Sequence, residues 1–184
     1  MKIHIIGASG AGSTTLGQVL AQSLNWTHLD ADEYYWQKTN PPYTIKIPLE
    51  ERNSTITKDF EATKNVILSG SMISWGSQWL QAFDLVVFLY VPPAIRIARL
   101  EKREYERYGS VLETDPHRAE QYKAFIDWAK KYDDPDFEGR SITQHNIWLQ
   151  KLSCPVLRIE GDTTVSERIL LVSKKIEQLS NPEA

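Results

Sequence analysis

The stretch "KIHIIGASGAGSTTLG", Lys2 to Gly17, decides the fold that we expect for this chain. Its apolar beginning is typical of a buried strand, and Leu16 near its end, with Leu20 and Leu24 beyond it, has the spacing of an amphipathic helix. Between them, Gly7, Gly12 and Thr14 fit the pattern G-x-x-x-x-G-K-[ST], in which a glycine-rich turn wraps phosphate groups. Ser13 stands at the lysine position. We therefore predict a phosphate-binding turn without its usual cation.

The glycines of this turn also allow other interpretations. Gly7, Gly10 and Gly12 resemble the GxxGxG turn of nicotinamide-binding folds. Asp30 and Asp32 end the next apolar run, where a ribose-binding acid would lie. A plain strand-to-helix turn is disfavoured, because three glycines and four hydroxyl residues exceed what a turn requires. Spacing alone does not separate phosphate binding from dinucleotide binding, so the rest of the chain must decide.

Composition narrows the classes of function. The chain has 184 residues, of which 41% are hydrophobic, and this length suits one domain with a sizeable core. A net charge of −3 gives no global attraction to nucleic acid or to an anionic membrane. The single cysteine, Cys154, excludes an intrachain disulfide and suits a reducing compartment. No signal peptide or membrane-spanning run is evident, so we expect a cytoplasmic protein.

Strand-like and helix-like segments alternate along the chain, which predicts a single α/β domain over residues 1–184 with a parallel sheet covered on both faces. The last helix has the signature of a capping box, with Thr164 as the cap and Glu167 reaching back. The predicted strands are Lys2 to Ala8, Trp26 to Asp32, Asn65 to Ser71, Asp84 to Val91 and Cys154 to Gly161.

The segment "PPAIRIARLEKREYERYG" carries a stripe of arginines: Arg96, Arg99, Arg103 and Arg107. Their spacing of three, four and four residues places them on one side of a helix. Like charges at these spacings are unfavourable, so the stripe favours a partner anion such as phosphate. A solvated surface helix is the alternative, because neighbouring glutamates offset part of the repulsion. The stripe favours phosphoryl transfer over hydride transfer.

The order of these features resembles the P-loop kinase superfamily, and within it the nucleoside-monophosphate kinase and shikimate kinase branch, including adenylate-kinase-like proteins. The resemblance implies a three-layer α/β/α P-loop NTPase fold with a five-stranded parallel sheet. It implies a lid insertion after the fourth strand, at roughly 104–145. It also implies that the chain binds ATP and Mg2+.

The resemblance further implies roles for individual residues. Thr14 would hold the magnesium ion, Arg99 and Arg103 would clamp phosphates at the start of the lid, and Gly161 and Asp162 would border the adenine. The residues that would wrap the ATP phosphates are Gly7, Ala8, Ser9, Gly10, Ala11, Gly12, Ser13, Thr14 and Thr15.

The acceptor side depends on Asp30 and Asp32, which we expect to lie on one face at the end of the second strand. Either carboxylate can orient an acceptor hydroxyl or take its proton, and either can instead cap the following helix. The cation that Ser13 lacks has several candidate substitutes in the sequence: Arg96, Arg99, Arg103, Arg107, Arg140 and Lys46.

We thus expect an ATP-dependent small-molecule kinase that transfers a phosphoryl group to a nucleotide or a small hydroxylated acceptor. The alternative is a nucleotide-binding regulatory protein or a slow ATPase without kinase activity. The arginine stripe and the paired aspartates favour the kinase, because a simple binder needs neither. Neither the acceptor nor an oligomeric state follows from the sequence.

Overall fold

A computed structural model of the protein describes residues 1–40 and 42–181, so residues 41 and 182–184 of the predicted domain lie outside the described part. In that part, five strands form one parallel sheet with the order β2-β3-β1-β4-β5. The strands are β1 (Lys2–Gly7), β2 (Thr27–Asp30), β3 (Val66–Ser69), β4 (Leu85–Tyr90) and β5 (Val156–Glu160). All five predicted strands are present, each shorter than predicted.

Helices connect the strands and cover both faces of the sheet. The predicted capping box is confirmed, because the Thr164 and Glu167 side chains and backbones bond reciprocally at the start of the last helix. The helices are α1 (Ser13–Leu24), α2 (Ala31–Tyr35), α3 (Leu49–Glu61), α4 (Pro93–Tyr108), α5 (Val111–Thr114), α6 (Pro116–Lys130), α7 (Ile142–Gln150) and α8 (Val165–Ser180).

Two apolar clusters lie on opposite faces of the sheet, because successive strand residues point to opposite sides. On one face, Leu16 and Leu20 of α1 and Val172 of α8 pack with Ile5 and the alternate residues of β4. On the other face, helix α3, several tryptophans and α7 pack together with Ile6, Val86 and Phe88. The molecule therefore has three layers.

The sheet order places the glycine turn, which follows β1, at the centre of the sheet's carboxyl edge. Strand β1 lies between β3 and β4, so the loops that leave β1 and its neighbours diverge at the carboxyl edge. Ligands bind at such switch points in open α/β sheets. A dinucleotide-binding sheet with the order 3-2-1-4-5-6 would put the second strand beside the first, but here β3 lies between β2 and β1.

The segment at 104–145, predicted to be a lid, is mostly helical. It comprises the end of α4, helices α5 and α6, a short 3-10 helix at Lys131–Asp133, the loop that follows it and the first residues of α7. Ile126 and Ala129 of α6 pack against Ile97 and Leu100 of α4. That this segment acts as a lid is still a prediction from the resemblance. Among the described residues, no helix is both long enough and apolar enough to cross a bilayer.

Candidate active site

The glycine turn wraps tightly around an open helix end. Gly10 and Gly12 have φ values of 82° and 91°, which side chains with a Cβ rarely adopt. A Cβ on Gly10 would lie 2.5 Å from the Arg96 carbonyl oxygen. Helix α1 begins at Ser13, and within the described residues no side chain caps it. Its first backbone N–H groups and the positive end of the helix are therefore available to an anion.

Thr14 and Asp30 meet at the edge of this turn. The Thr14 hydroxyl donates a hydrogen bond to Asp30 Oδ2 at 2.7 Å. Asp30 is the last residue of β2, and its other oxygen accepts from the Asp32 backbone N–H at 3.0 Å. Thr14, the predicted magnesium ligand, therefore contacts Asp30, one of the two predicted acidic residues, at the start of α1.

The expectation that Asp30 and Asp32 share one face of a strand is wrong. Asp30 caps helix α2, so the strand ends there and Asp32 lies in the first turn of that helix. The reason is local chemistry, because an aspartate that accepts from an N–H two residues later favours a helix start over continued strand. The capping alternative therefore applies to Asp30.

Asp32 faces a large cavity beside the glycine turn. The cavity has a volume of about 1050 Å3, and both Asp32 and Ser9 line it. Removal from bulk water raises the pKa of Asp32, and the nearby charge of Asp30 raises it further. The positive charges of Arg140 and Arg103 act in the opposite direction. A carboxyl with a raised pKa in a cleft is suited to proton transfer.

Arg140 reaches the glycine turn from the loop between Lys131–Asp133 and α7. Its Nη2 donates to Ser9 Oγ at 2.5 Å, and its guanidinium lies 4.8 Å from the centre of the Trp128 ring. Arg140, Asp32 and Ser9 therefore all line the same cavity.

The predicted arginine stripe lies on one helix, α4, but its members divide between different partners. Arg96 is wholly buried and donates to the Ala129 carbonyl at 3.1 Å and to Asp133 at 2.5 Å. The expectation that Arg96 could serve as the missing cation is therefore wrong, because Asp133 already compensates its charge inside the protein.

The other three arginines of α4 are more exposed than Arg96. Arg99 forms an ion pair with Asp162, before α8, and is not among the residues that line the cavity in the described chain. Arg103 and Arg107 line the cavity, and both contact Glu104, at 3.0 and 3.5 Å. Arg99 therefore does not share with Asp32 the lining of this cavity.

The cavity combines aromatic walls with positive charge. Among the described residues, nine aromatic and six basic side chains line it, against three acidic ones. Arg118 lies 4.4 Å from the centre of the Tyr108 ring, and Arg107 lies 5.1 Å from that of Tyr43. Lys46 lies beside Tyr35, at 5.8 Å. This composition suits a ligand that carries both a ring and a negative charge.

Sequence reasoning missed Arg168 and Arg118. Arg168 is buried in α8 and donates from Nη1 to the Ala11 carbonyl oxygen at 2.7 Å. This hydrogen bond links α8 to the glycine turn. The Nε of Arg168 donates to Thr163. The sequence places Arg168 four residues after the predicted cap Thr164. This spacing alone does not indicate a contact with Ala11.

The chain resembles several known proteins. The family described as "AAA domain" matches residues 3–123. The uncharacterized protein YqaC of Bacillus subtilis is 45% identical over 168 residues, which cover 91% of this chain and 93% of that protein. A putative adenylate kinase of Thermococcus kodakarensis is 29% identical over 120 residues, or 62% of this chain and 64% of that protein.

A solved structure has the same fold. Shikimate kinase from Acinetobacter baumannii, in complex with shikimate, superposes with a TM-score of 0.56 over all of this chain and 95% of its own, at 22% identity. The predicted three-layer P-loop NTPase fold is confirmed, and the dinucleotide-binding interpretation of the glycines is wrong.

Proposed function

Because the chain belongs to the AAA-domain family, in the branch that holds the P-loop kinases related to shikimate and adenylate kinases, we propose that it is an ATP-dependent kinase of a small molecule. The observation that carries this proposal is the position of Ser9. This residue belongs to the glycine turn and also lines the cavity that contains Asp32. A phosphate donor and an acceptor can therefore meet there.

The donor half of the site fits ATP with Mg2+. The open end of α1 and the glycine turn offer backbone N–H groups to phosphates. Thr14 and Asp30 offer two oxygen ligands within 2.7 Å of each other, and Mg2+ commonly binds through one or two such ligands together with phosphates and water. When bound, Mg2+ would neutralise charge that develops on the phosphate oxygens.

The chain's own residues then have separate tasks. The glycine turn holds the phosphates in line, and Thr14 and Asp30 hold the metal-binding oxygens in place. Asp32 faces the acceptor and can accept the proton from its hydroxyl, for which its raised pKa suits it.

The acceptor half favours an anionic, ring-containing molecule. The excess of basic over acidic side chains attracts a phosphate or carboxylate, while the aromatic walls offer faces on which a ring can stack. A nucleotide and a cyclic hydroxy acid both have this chemistry. The volume of about 1050 Å3 accommodates either.

A second candidate, a slow ATPase or nucleotide-binding regulator, is favoured by one observation, the serine at position 13. To test the two, the protein is incubated with ATP labelled at its terminal phosphate, Mg2+, and pooled nucleosides, nucleotides, sugar acids and cyclic hydroxy acids. The kinase predicts labelled acceptor in at least one pool, at a rate that falls in Asp32→Asn. Label released only as free phosphate, equally fast in every pool, would establish the slow ATPase instead.

A further inference from the structure

Arg140 and Ser9 meet where the glycine turn borders the cavity. Arg140 Nη2 donates to Ser9 Oγ at 2.5 Å. In the described chain, Ser9 is the one residue of the segment 7–15 that lines the cavity. This contact therefore marks the boundary between the phosphate-binding turn and the acceptor space. A phosphoryl group that moves from one to the other has to cross it.

Within the described residues, Arg140 forms no ion pair with a carboxylate. Among the residues that the structure describes, no aspartate or glutamate lies within 4.0 Å of its guanidinium, and its buried Nε has no hydrogen-bond partner. Burial lowers the pKa of Arg140, and the more distant Asp32 opposes this shift. An arginine keeps its proton even so. A partly enclosed cation without a paired anion leaves a site that an incoming anion can fill.

The other candidate cations are already occupied or lie elsewhere. Arg96 pairs with Asp133 and Arg99 with Asp162, and Glu104 contacts both Arg103 and Arg107.

Two further cations also differ from Arg140 in position. Lys46 lies beside Tyr35 on the acceptor side. Arg168 touches the glycine turn, but at a carbonyl oxygen and away from the cavity lining. Arg140 is thus the candidate that combines contact with the turn, access to the cavity and an unpaired charge.

We propose that Arg140 supplies to the transferred phosphoryl group the positive charge that Ser13 cannot. This inference rests on the proposed function. In the transfer, the bond from the terminal phosphorus to its bridging oxygen breaks, and that oxygen keeps the electron pair as ADP leaves. The acceptor oxygen forms the new bond to phosphorus and gives its proton to Asp32. Arg140 stays protonated and donates hydrogen bonds to the equatorial phosphoryl oxygens, which carry the spreading charge.

Nucleotide binding provides a test that needs no acceptor. The dissociation constants for ATP and for ADP, each with Mg2+, are measured by calorimetry for the wild type, Arg140→Met and Arg140→Gln. We expect both variants to bind ATP about tenfold more weakly, because they lose a charged contact to the terminal phosphate, and to bind ADP as the wild type does. The glutamine variant keeps a donor for Ser9, and ADP binding verifies that each variant is folded.

Arg158→Met is the matched control, because Arg158 is an exposed arginine of β5 that bonds to Asn146. It should change neither dissociation constant. Equal effects of Arg140→Met on ATP and ADP, or no effect on either, would overturn the proposal.

A rescue experiment tests the substitution for lysine directly. We expect Arg140→Met to lower kcat about a hundredfold or more. Adding Ser13→Lys should recover about tenfold of that loss, and this gain should exceed the one that Ser13→Lys gives in the wild type, where Arg140 already supplies the charge. An equal gain in both backgrounds would contradict the proposal. Absence of transfer to any acceptor by the wild type would remove the kinase proposal, while the ATP and ADP affinities would still decide the role of Arg140.

Discussion

Arg168 of helix α8 donates a hydrogen bond to the Ala11 carbonyl oxygen, 157 residues earlier in the chain, at 2.7 Å. The side chain is buried, and its Nε bonds to Thr163. The bond to Ala11 ties the last helix to the glycine turn at the residue before Gly12. The last helix thus takes part in shaping the turn.

We expect Arg168→Met to weaken ATP and ADP binding alike, by about tenfold, because the charged hydrogen bond that fixes the turn is lost. Calorimetry on both nucleotides measures this. Lys174→Met, an exposed change on the same helix, should leave both affinities unchanged. Unchanged nucleotide affinity in Arg168→Met, with only a lower melting temperature, would show that Arg168 stabilises the fold alone.

The Thr14 to Asp30 contact predicts a metal-dependent phenotype. Thr14→Val keeps the shape of the side chain but removes one oxygen ligand, so we expect the Mg2+ concentration for half-maximal ATP binding to rise about tenfold. Titration of Mg2+ at fixed ATP measures this concentration. Thr55→Val, at an exposed position of α3, serves as the control. A Thr14→Val protein with a normal Mg2+ requirement would exclude this residue from the metal site.

Asp32 predicts a particular pH dependence. We expect Asp32→Asn to lower kcat by about a hundredfold or more, because the acceptor proton loses its base. Since burial raises the pKa of Asp32, the acid limb of kcat/KM should lie above the range of an ordinary carboxyl group. The charge of Arg140 lowers that pKa, so Arg140→Met should move the limb to higher pH.

The exposed Asp127 of α6 provides the control for this experiment, and Asp127→Asn should leave the profile unchanged. A limb that moves to lower pH in Arg140→Met would contradict the assignment.

His4 makes stability depend on pH. Burial lowers the pKa of His4 to about 4, although the bond to the Leu68 carbonyl acts against this shift. The unfolded chain binds a proton at His4 near pH 6.5 and the folded chain only near 4, so stability is full above about pH 6.5 and falls as the pH drops.

The expected loss from this group is up to about 1.4 kcal/mol of unfolding free energy per pH unit between these values. Urea unfolding at several pH values should give a shallower slope for His4→Gln than for the wild type. His117→Gln, on an exposed surface, should keep the wild-type slope. Equal slopes for all three proteins would show that His4 does not carry the effect.

The sequence predicts the layers of this fold well, because they depend on local periodicity. The glycine turn, the arginine helix and the capping box at Thr164 all involve residues close in the chain. Asp32 was misplaced for a local reason, since the capping bond of Asp30 ends the strand two residues early.

The sequence pattern did not predict contacts between residues that lie far apart in the chain. The spacing of Arg96 and Arg99 on one helix is readable, but burial of Arg96 against Asp133 depends on how α4 packs against the residues that follow α6. Likewise, Arg140 was one of several candidate cations, and only the fold brings it to Ser9 across 131 residues.

We expect the terminal phosphate of ATP to lie between the glycine turn and the cavity. A crystal structure with Mg2+ and a non-hydrolysable ATP analogue measures this directly. We predict that the β-phosphate contacts the N–H groups of the turn and that the terminal phosphate lies beside Ser9, bonded to Arg140, with Asp32 across the cavity from it. A terminal phosphate bound away from Ser9 and Arg140, or a nucleotide bound outside the turn, would contradict the account.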